Sequence, residues 1–454
     1  MSRACALAIA VALLAAALPA GAQPAPRSLL QARIALADAG ETIDVPPGVY
    51  DGDLVIDRPL RLVGHGHVVI RGSGTGTVIS ITAPDTVVEG IEVDGRGGGD
   101  LGKDASGIHI AAARATIRGC VIRNALFGIY LRQADGTRVE HSRVYGIKGK
   151  AAGEKGSSIH VWNTDGFMLL DNDVSDVRDG VYIQSSPHGT IRGNRAHDLR
   201  YGLHYMYSDD NVFEDNVFEN GDAGTAVMYS RRLTFRRNQF LRNRGFASVG
   251  LLLKSCDEVL AEHNLIADNA RGVFIEGSER TTIRENVIAQ SDIALVIFAS
   301  ASRTSITGNS FVGNLAPLAF VGRHTDTAVS GNYWSDNDAL DLDGDGRTDQ
   351  PYRLSSLFDH FRGNVIAADL FSRSLSAATL AAAERSLPVL DPVPVVDASP
   401  RARPPVLPVP VAERRVQGRP ASLGLLASAG AFAVGTAVLA GGRRRRSRSS
   451  KART

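Results

Sequence analysis

The sequence predicts an all-β fold: a right-handed parallel β-helix, a solenoid of about 22 residues per coil, with a short C-terminal helical segment and a transmembrane helix after it. Three observations predict it. Asn172, Asn194, Asn216, Asn238, Asn264, Asn286, Asn309 and Asn332 recur at spacings of 22, 22, 22, 26, 22, 23 and 23, and the column continues upstream through Ser142, Cys120 and Ile91. A second column repeats short alternating segments, among them "GIHI" at 107, "GIYL" at 128, "SIHV" at 158, "GVYI" at 180, "GLHY" at 202 and "GVFI" at 272. Gly, Asn and Asp separate these β-branched runs, which is the pattern of short strands joined by tight turns.

Residues 1–22 open the chain with Arg3, an apolar run from Ala4 to Leu18 and a small-residue "AGA" ending at Ala22. Such a segment reads as a secretory signal, so the mature protein is expected to be exported to the periplasm. Residues 23–363 form the solenoid, because about 22 residues suit three short strands and three turns per coil. Each column Asn is expected in a turn, tolerant of left-handed backbone and bonded to the Asn of the next coil. The stretch "GETIDVPPGVYDGDLVIDRPLRLVGHG" is similar to the first coils of pectin-lyase-like β-helix proteins.

Residues 364–387 hold Val365, Leu370, Leu375 and Leu380 among good helix formers and are expected to make a helical cap on the last coil. Residues 388–420 carry nine prolines and read as an extended linker. Within 421–442, Leu423 to Ala440 is an uncharged stretch that would reach about 27 Å as a helix, enough to cross a bilayer core. The basic tail 443–454 begins with "RRRR", which places the tail in the cytoplasm and anchors the body to the inner membrane on its outer side.

The formal charge of +2 hides an acidic body. Of 50 basic residues, Arg3 and seven from Arg443 onward lie in the two ends, leaving 42 against 48 acidic ones and a net of −6. Nucleic acid is therefore not an expected partner. Cys120 and Cys256 are the two cysteines of the mature chain and form neither a CxxC nor a disulfide framework.

Alternation along the strands decides which residues face outward. Ile108 and Ile110, Ile129 and Leu131, Val181 and Ile183, Leu251 and Leu253, and Val273 and Ile275 take the inward places. The outward places then carry His109, Tyr130, His160, Trp162, Tyr182, His204, Met206, Met228 and Lys254 in one strip. Met206 and Met228 fall on adjacent coils, about 4.8 Å apart, with His204 two positions from Met206. Imidazole and thioether donors suit copper, above all Cu(I), while a dry partner-docking patch accounts for the same residues. A second metal-like motif is "DLDGDGRTD": Asp341, Asp343, Asp345 and Asp349 are spaced as oxygen ligands for a structural calcium, although Tyr352 at the twelfth place excludes a complete EF-hand.

The enzymatic alternative is a polysaccharide lyase or epimerase, or a carbohydrate-binding protein, acting on acidic sugars through acids such as Asp176, Asp179, Asp209 and Asp210. Arg132 and Lys254 lie coils apart, and the chain has no nucleophile elbow, phosphate loop or HExxH.

Five stretches, "GLHYMYSDDN", "AVMYSRRLTFRRNQF", "GLLLKS", "GNYWSDNDALDLDGDGRTDQPYR" and "LPVLDPVPVVDASP", resemble the NosD family of periplasmic maturation proteins for nitrous oxide reductase. The resemblance covers residues 28 to 400, and "HYMYS…VMYSRR" is its most specific part. It implies a non-enzymatic role in assembling the reductase's copper centre, with an ABC-type ATPase and its membrane subunit, a copper chaperone and nitrous oxide reductase as partners. The C-terminal anchor and Arg-rich tail depart from that family pattern.

Overall fold

The computed structural model describes residues 29–245, 248–322, 325–354, 374–376, 379 and 395–410. The signal segment 1–22, the span 421–442, the basic tail 443–454 and all of the helical cap 364–387 except 374–376 and 379 lie outside the described residues. Among the described residues no helix is long and apolar enough to cross a membrane.

Short β-branched runs at a fixed period stack instead of pairing as hairpins, because each coil can bury its apolar side only against the next. The result is three parallel sheets in which every strand pairs with the strand one coil on. The first sheet has 13 strands, from Thr42–Val45 to Thr327–Ser330, and the second has 13, from Gly48–Asp51 to Tyr333–Trp334. The third has 12, from Leu54–Ile56 to Ala316–Val321. All ten inward residues named above are at most 1% exposed, as the alternation predicts. Aromatic rings stack inside the tube as well, with Phe213 and Phe235 at 4.5 Å and Phe311 and Trp334 at 4.1 Å.

The Asn column forms the expected ladder. The backbone N–H and Nδ2 of Asn194 both donate to Asn216 Oδ1 at 3.0 Å, and those of Asn216 donate to Asn238 Oδ1 at 3.1 and 2.9 Å. The left-handed residue is not the Asn, however, but the one before it: Asp171, Gly193, Asp215, Arg237, His263, Glu285, Gly308 and Gly331 have positive φ. This turn frees the Asn side chain to point inward, where it satisfies the bend's backbone without water.

A second ladder joins serines that recur 22 residues apart, Ser186, Ser208 and Ser230. Ser208 Oγ accepts from Ser186 N–H at 2.9 Å, and Ser230 Oγ accepts from Ser208 N–H at 3.0 Å. Both cysteines sit in such ladders. Cys120 N–H donates to Ser142 Oγ and Cys256 N–H donates to Ser278 Oγ, at 3.2 and 3.0 Å. Burial pushes their thiols up, to about 11 and about 12, which leaves them protonated and unsuited to metal binding.

The two ends are closed differently. An N-terminal helix, Leu29–Leu36, lies within the range expected for solenoid strands and inserts Leu30 and Ile34 into the core. Its Gln31 side chain exchanges two hydrogen bonds with the Val55 backbone, at 3.1 and 2.8 Å, and so blunts the first edge of the third sheet. At the other end, part of the proline-rich 388–420 segment is not an extended linker. Val396–Asp397 pairs antiparallel with Tyr352–Arg353, and Arg401 N–H donates to Asn332 O at 2.8 Å. Pro400 follows this strand without interrupting it, so the strand keeps its backbone donors.

On the second sheet, His197 lies between two carboxylates, Nδ1 at 2.6 Å from Asp198 and Nε2 at 3.1 Å from Asp173. The hydrogen bond to Asp173 raises the His197 pKa against the opposing effect of burial, and Asp198 adds to it. Burial pushes the Asp173 carboxyl up, but the His197 hydrogen bond and the nearby charges outweigh it and hold it below its ordinary value. The His197 contribution is complete below its unfolded pKa of about 6.5 and is lost as pH rises through the raised folded value. The Asp173 contribution is lost as pH falls through its depressed value. The melting temperature is therefore expected to decline above neutral pH, and His197→Gln should flatten that decline. An unchanged slope in the variant would count against the assignment.

Candidate functional site

The outer face of the third sheet carries the strip. Strand register aligns His109, Tyr130, His160, Tyr182 and His204 on successive coils, followed by Ala226, Leu252 and Phe274. Their rings touch in sequence: 5.2 Å from His109 to Tyr130, 4.3 Å to His160, 4.4 Å to Tyr182 and 4.8 Å to His204. Burial lowers the His160 pKa to about 3, with Arg178 adding to the effect, so this imidazole stays neutral. His160 Nδ1 is buried with no hydrogen-bond partner. Burial likewise lowers His109 and raises Tyr130 to about 12.

Two residues further along each strand, Arg132, Trp162, Gln184, Met206, Met228, Lys254 and Glu276 align in the next outward row. Met206 and Met228 are thus direct register neighbours, each half-buried. Arg132 lies over the Trp162 ring at 5.0 Å, and Lys254 Nζ pairs with Glu276 at 3.2 Å. The structure thus brings the whole predicted strip onto one face, although Trp162 and Lys254 already have partners of their own.

His204 is held by a group that sequence reasoning treated only as one acid among several. Asp179 starts the strand one coil before, is fully buried, and accepts from His204 Nδ1 at 3.2 Å. Arg200 binds the same carboxylate with Nε and a terminal nitrogen, both at 2.9 Å, and Arg178 Nε adds a contact at 3.3 Å. Burial pushes the Asp179 carboxyl up, but the His204 hydrogen bond and the Arg200 charge outweigh it and hold it below the ordinary carboxylate range. A carboxylate only accepts, so it fixes the His204 proton on Nδ1 and leaves Nε2 as the lone-pair nitrogen. An imidazole that binds a metal almost always has its other nitrogen held in this way. One imidazole and two thioethers on adjacent coils fit a soft monovalent copper ion.

The calcium motif comes together in part. Carboxylate oxygens of Asp341, Asp343 and Asp345 lie within 4.8 Å of one another. Asp349 is not in this group; its carboxylate accepts from Leu342 N–H at 2.6 Å, so the four-ligand set is corrected to three. The three already accept backbone hydrogen bonds of the loop, Asp341 from both Gly344 and Gly346.

Three of the four acids considered for sugar chemistry, Asp179, Asp209 and Asp210, are occupied. Asp179 is enclosed by arginines, and Asp209 and Asp210 both bind Arg232, at 3.3 and 2.6 Å. Each closes an ion pair between coils instead of facing a shared cleft.

A family model described as "Periplasmic copper-binding protein (NosD)" matches residues 142–339, the coils that carry His160, His204, Met206 and Met228. A protein of Stutzerimonas stutzeri, named a probable ABC transporter binding protein NosD, is 31% identical over 403 residues, covering 84% of this chain and 90% of its own. A protein of the same name from Pseudomonas aeruginosa is 30% identical over 382 residues, covering 80% and 89%. Both are named as binding proteins, not as enzymes. Among solved structures, the family 28 exopolygalacturonase of Yersinia enterocolitica superposes with a TM-score of 0.51 at 12% identity, over 66% of this chain and 74% of its own. A variant of the periplasmic alginate epimerase AlgG gives 0.51 at 13% identity, over 65% and 83%. At such identities the likeness is one of fold alone. The extent and identity of the curated matches, together with the family model, show that this chain belongs to the NosD family.

Proposed function

We propose that this chain is a periplasmic accessory protein for maturing the copper centre of nitrous oxide reductase, working with an ABC-type transporter and holding Cu(I) at His204, Met206 and Met228. The observation that carries the proposal is the direct register of Met206 with Met228, beside an imidazole whose Nδ1 is tied to Asp179. The names of its relatives and of its family support the transporter and copper parts of the reading. The ATPase and membrane subunit, a copper chaperone and the reductase itself would be docking partners, and the 421–442 span would anchor the body to the inner membrane. His109, Tyr130, His160, Trp162, Tyr182 and Lys254 would shape the docking surface around the metal.

The chemistry is binding and exchange, not turnover. Bound copper would supply a cargo ion, and this chain's residues would orient the donors and keep the face dry enough to hold it. Anaerobic Cu(I) titration is expected to show a loss of affinity on the order of 100-fold or more when all three donors become Ala, above the 10–100-fold typical of outer-shell groups alone. Unchanged affinity would sink the site.

Calcium at Asp341, Asp343 and Asp345 is a smaller part of the proposal, supported by the proximity of their carboxylates. Ligand that binds only the folded state raises stability by about 2.7 kcal/mol at 100 times its Kd. Millimolar calcium should therefore raise the melting temperature over that in chelator, and Asp343→Asn should remove the difference; equal melting temperatures with and without calcium would dismiss the ion.

A further inference from the structure

The turn that follows each third-sheet strand places one residue in left-handed backbone. On successive coils these are Gln133, Asn163, Ser185, Tyr207, Tyr229, Ser255 and Gly277, with φ between 50° and 60°. Small or polar residues tolerate this region, whereas a bulky aromatic residue there is an outlier that stores strain. Two consecutive coils nevertheless use tyrosine. Tyr207 and Tyr229 are 56% and 43% exposed, and their rings stack on each other at 5.1 Å and 11°. The fold gains no core packing from them that would explain the strain.

Other outer-face rings are covered by this chain's own arginines: Tyr145 by Arg123 at 4.8 Å, Trp162 by Arg132 at 5.0 Å and Tyr201 by Arg200 at 4.2 Å. Among the described residues no cation lies over Tyr207 or Tyr229. Beyond Tyr207, the small residues of the same row leave an open groove of about 300 Å3, lined by Gln133, Asp135, Asn163, Asp165 and Ser185 among others, with no Lys or Arg in its wall. The Asp135 carboxylate accepts the Asp165 N–H at 2.8 Å and makes no ion pair among the described residues. Asp165 Oδ1 faces His188 Nδ1 at 2.8 Å.

We propose that the Tyr207–Tyr229 pair and this acidic groove dock a basic, extended segment of a partner protein. One guanidinium would stack on the free face of Tyr207, and a second basic side chain would meet Asp135 and Asp165. Arginine fits both tasks, because its planar fork stacks on aromatic faces and matches carboxylates, which a lysine ammonium does less well. Tyr207 stands one coil, about 4.8 Å, from Ser185 and about twice that from Asn163, while alternate side chains of an extended segment are about 6.8 Å apart. The same carboxylates repel an acidic polysaccharide. This inference rests on the tyrosines and the groove and does not depend on copper being bound.

The test uses the mature, copper-free protein and a fluorescein-labelled peptide with two arginines separated by one residue, read by anisotropy. The arginine peptide is expected to bind at least tenfold more tightly than its citrulline counterpart, and the binding should weaken with salt. Tyr207→Asn should lower affinity at least tenfold without lowering the melting temperature, because Asn tolerates the left-handed turn. Asp135→Asn combined with Asp165→Asn should do the same. Equal binding of the citrulline peptide, or undiminished binding by Tyr207→Asn, would overturn the proposal. Binding of a neutral oligosaccharide that Tyr207→Asn abolishes, with none of the arginine peptide, would overturn it in favour of a sugar platform.

Discussion

Asp397→Ala is expected to destabilise the C-terminal coils by on the order of 3–5 kcal/mol, since hydrogen bonds to a charged group contribute about 1.5–3 kcal/mol each and several are lost together. The fully buried Asp397 carboxylate ends the Asn ladder. Oδ2 accepts from Asn332 N–H, Asn332 Nδ2 and Trp334 Nε1 at 2.9, 3.0 and 3.1 Å, and Oδ1 accepts from Gly331 N–H and Ser399 N–H at 3.0 and 3.1 Å. Within the ladder an Asn suffices, because its Nδ2 finds a carbonyl, as Asn332 Nδ2 finds Ile306 O at 3.0 Å. At the last position every neighbour is a donor, so a group with two acceptors is required. Asp397→Asn should therefore fall between the wild type and Ala: it keeps one accepting oxygen but turns an amide toward N–H groups. Solenoid stability is a sum of nearest-neighbour terms, so the loss should appear locally, as faster amide exchange in residues 327–334 than in residues 201–241. Equal exchange in the Ala variant would show that the strand at Val396–Asp397 does not hold the last coil.

The solenoid was legible because its determinants are local and repeated. Period-two alternation at Ile108 and Ile110, or Val273 and Ile275, states which side is core, and the Asn spacing states where each coil turns. The same regularity places Met206 against Met228, which is their register in the third sheet. What sequence did not reveal are contacts made once. Asp397 meets Asn332 from 65 residues away, in a segment whose prolines read as extended chain. The Leu29–Leu36 helix is too short to show a clear period. The left-handed residue lies one place before each Asn, a distinction that a repeat alone leaves open, since both positions recur equally. Tyr207 and Tyr229 recur 22 residues apart in step with Ser208 and Ser230, whereas the structural content of that recurrence lies in the buried serines. Repetition conveys architecture, and residues that repeat only twice stand out from it.

Asp179 offers the sharpest division between architecture and function. Replacing it with Ala leaves Arg178, Arg200 and His204 facing a site from which their shared acceptor has gone, and breaking such a buried charge cluster costs about 3–5 kcal/mol. Arg178 and Arg200 retain 27% and 33% side-chain exposure, so water offsets part of this, and the lower end of that range is expected. Asp179→Asn is the milder variant: it preserves shape and one acceptor but removes the charge that fixes the His204 tautomer. If His204 is a copper ligand, Asp179→Asn should weaken Cu(I) binding by about 10–100-fold. The effect should then shrink in a His204→Ala background, because there is no imidazole left to orient. Nitrogen-15 shifts of the metal-free protein give a reading without copper: His204 should carry its proton on Nδ1 in the wild type and lose that preference in Asp179→Asn. A protein that melts earlier but binds Cu(I) unchanged, in both backgrounds, would assign Asp179 to the solenoid alone. A tautomer change accompanied by lost copper affinity would join it to His204, Met206 and Met228, because stability of the coils by itself does not select one ring nitrogen over the other.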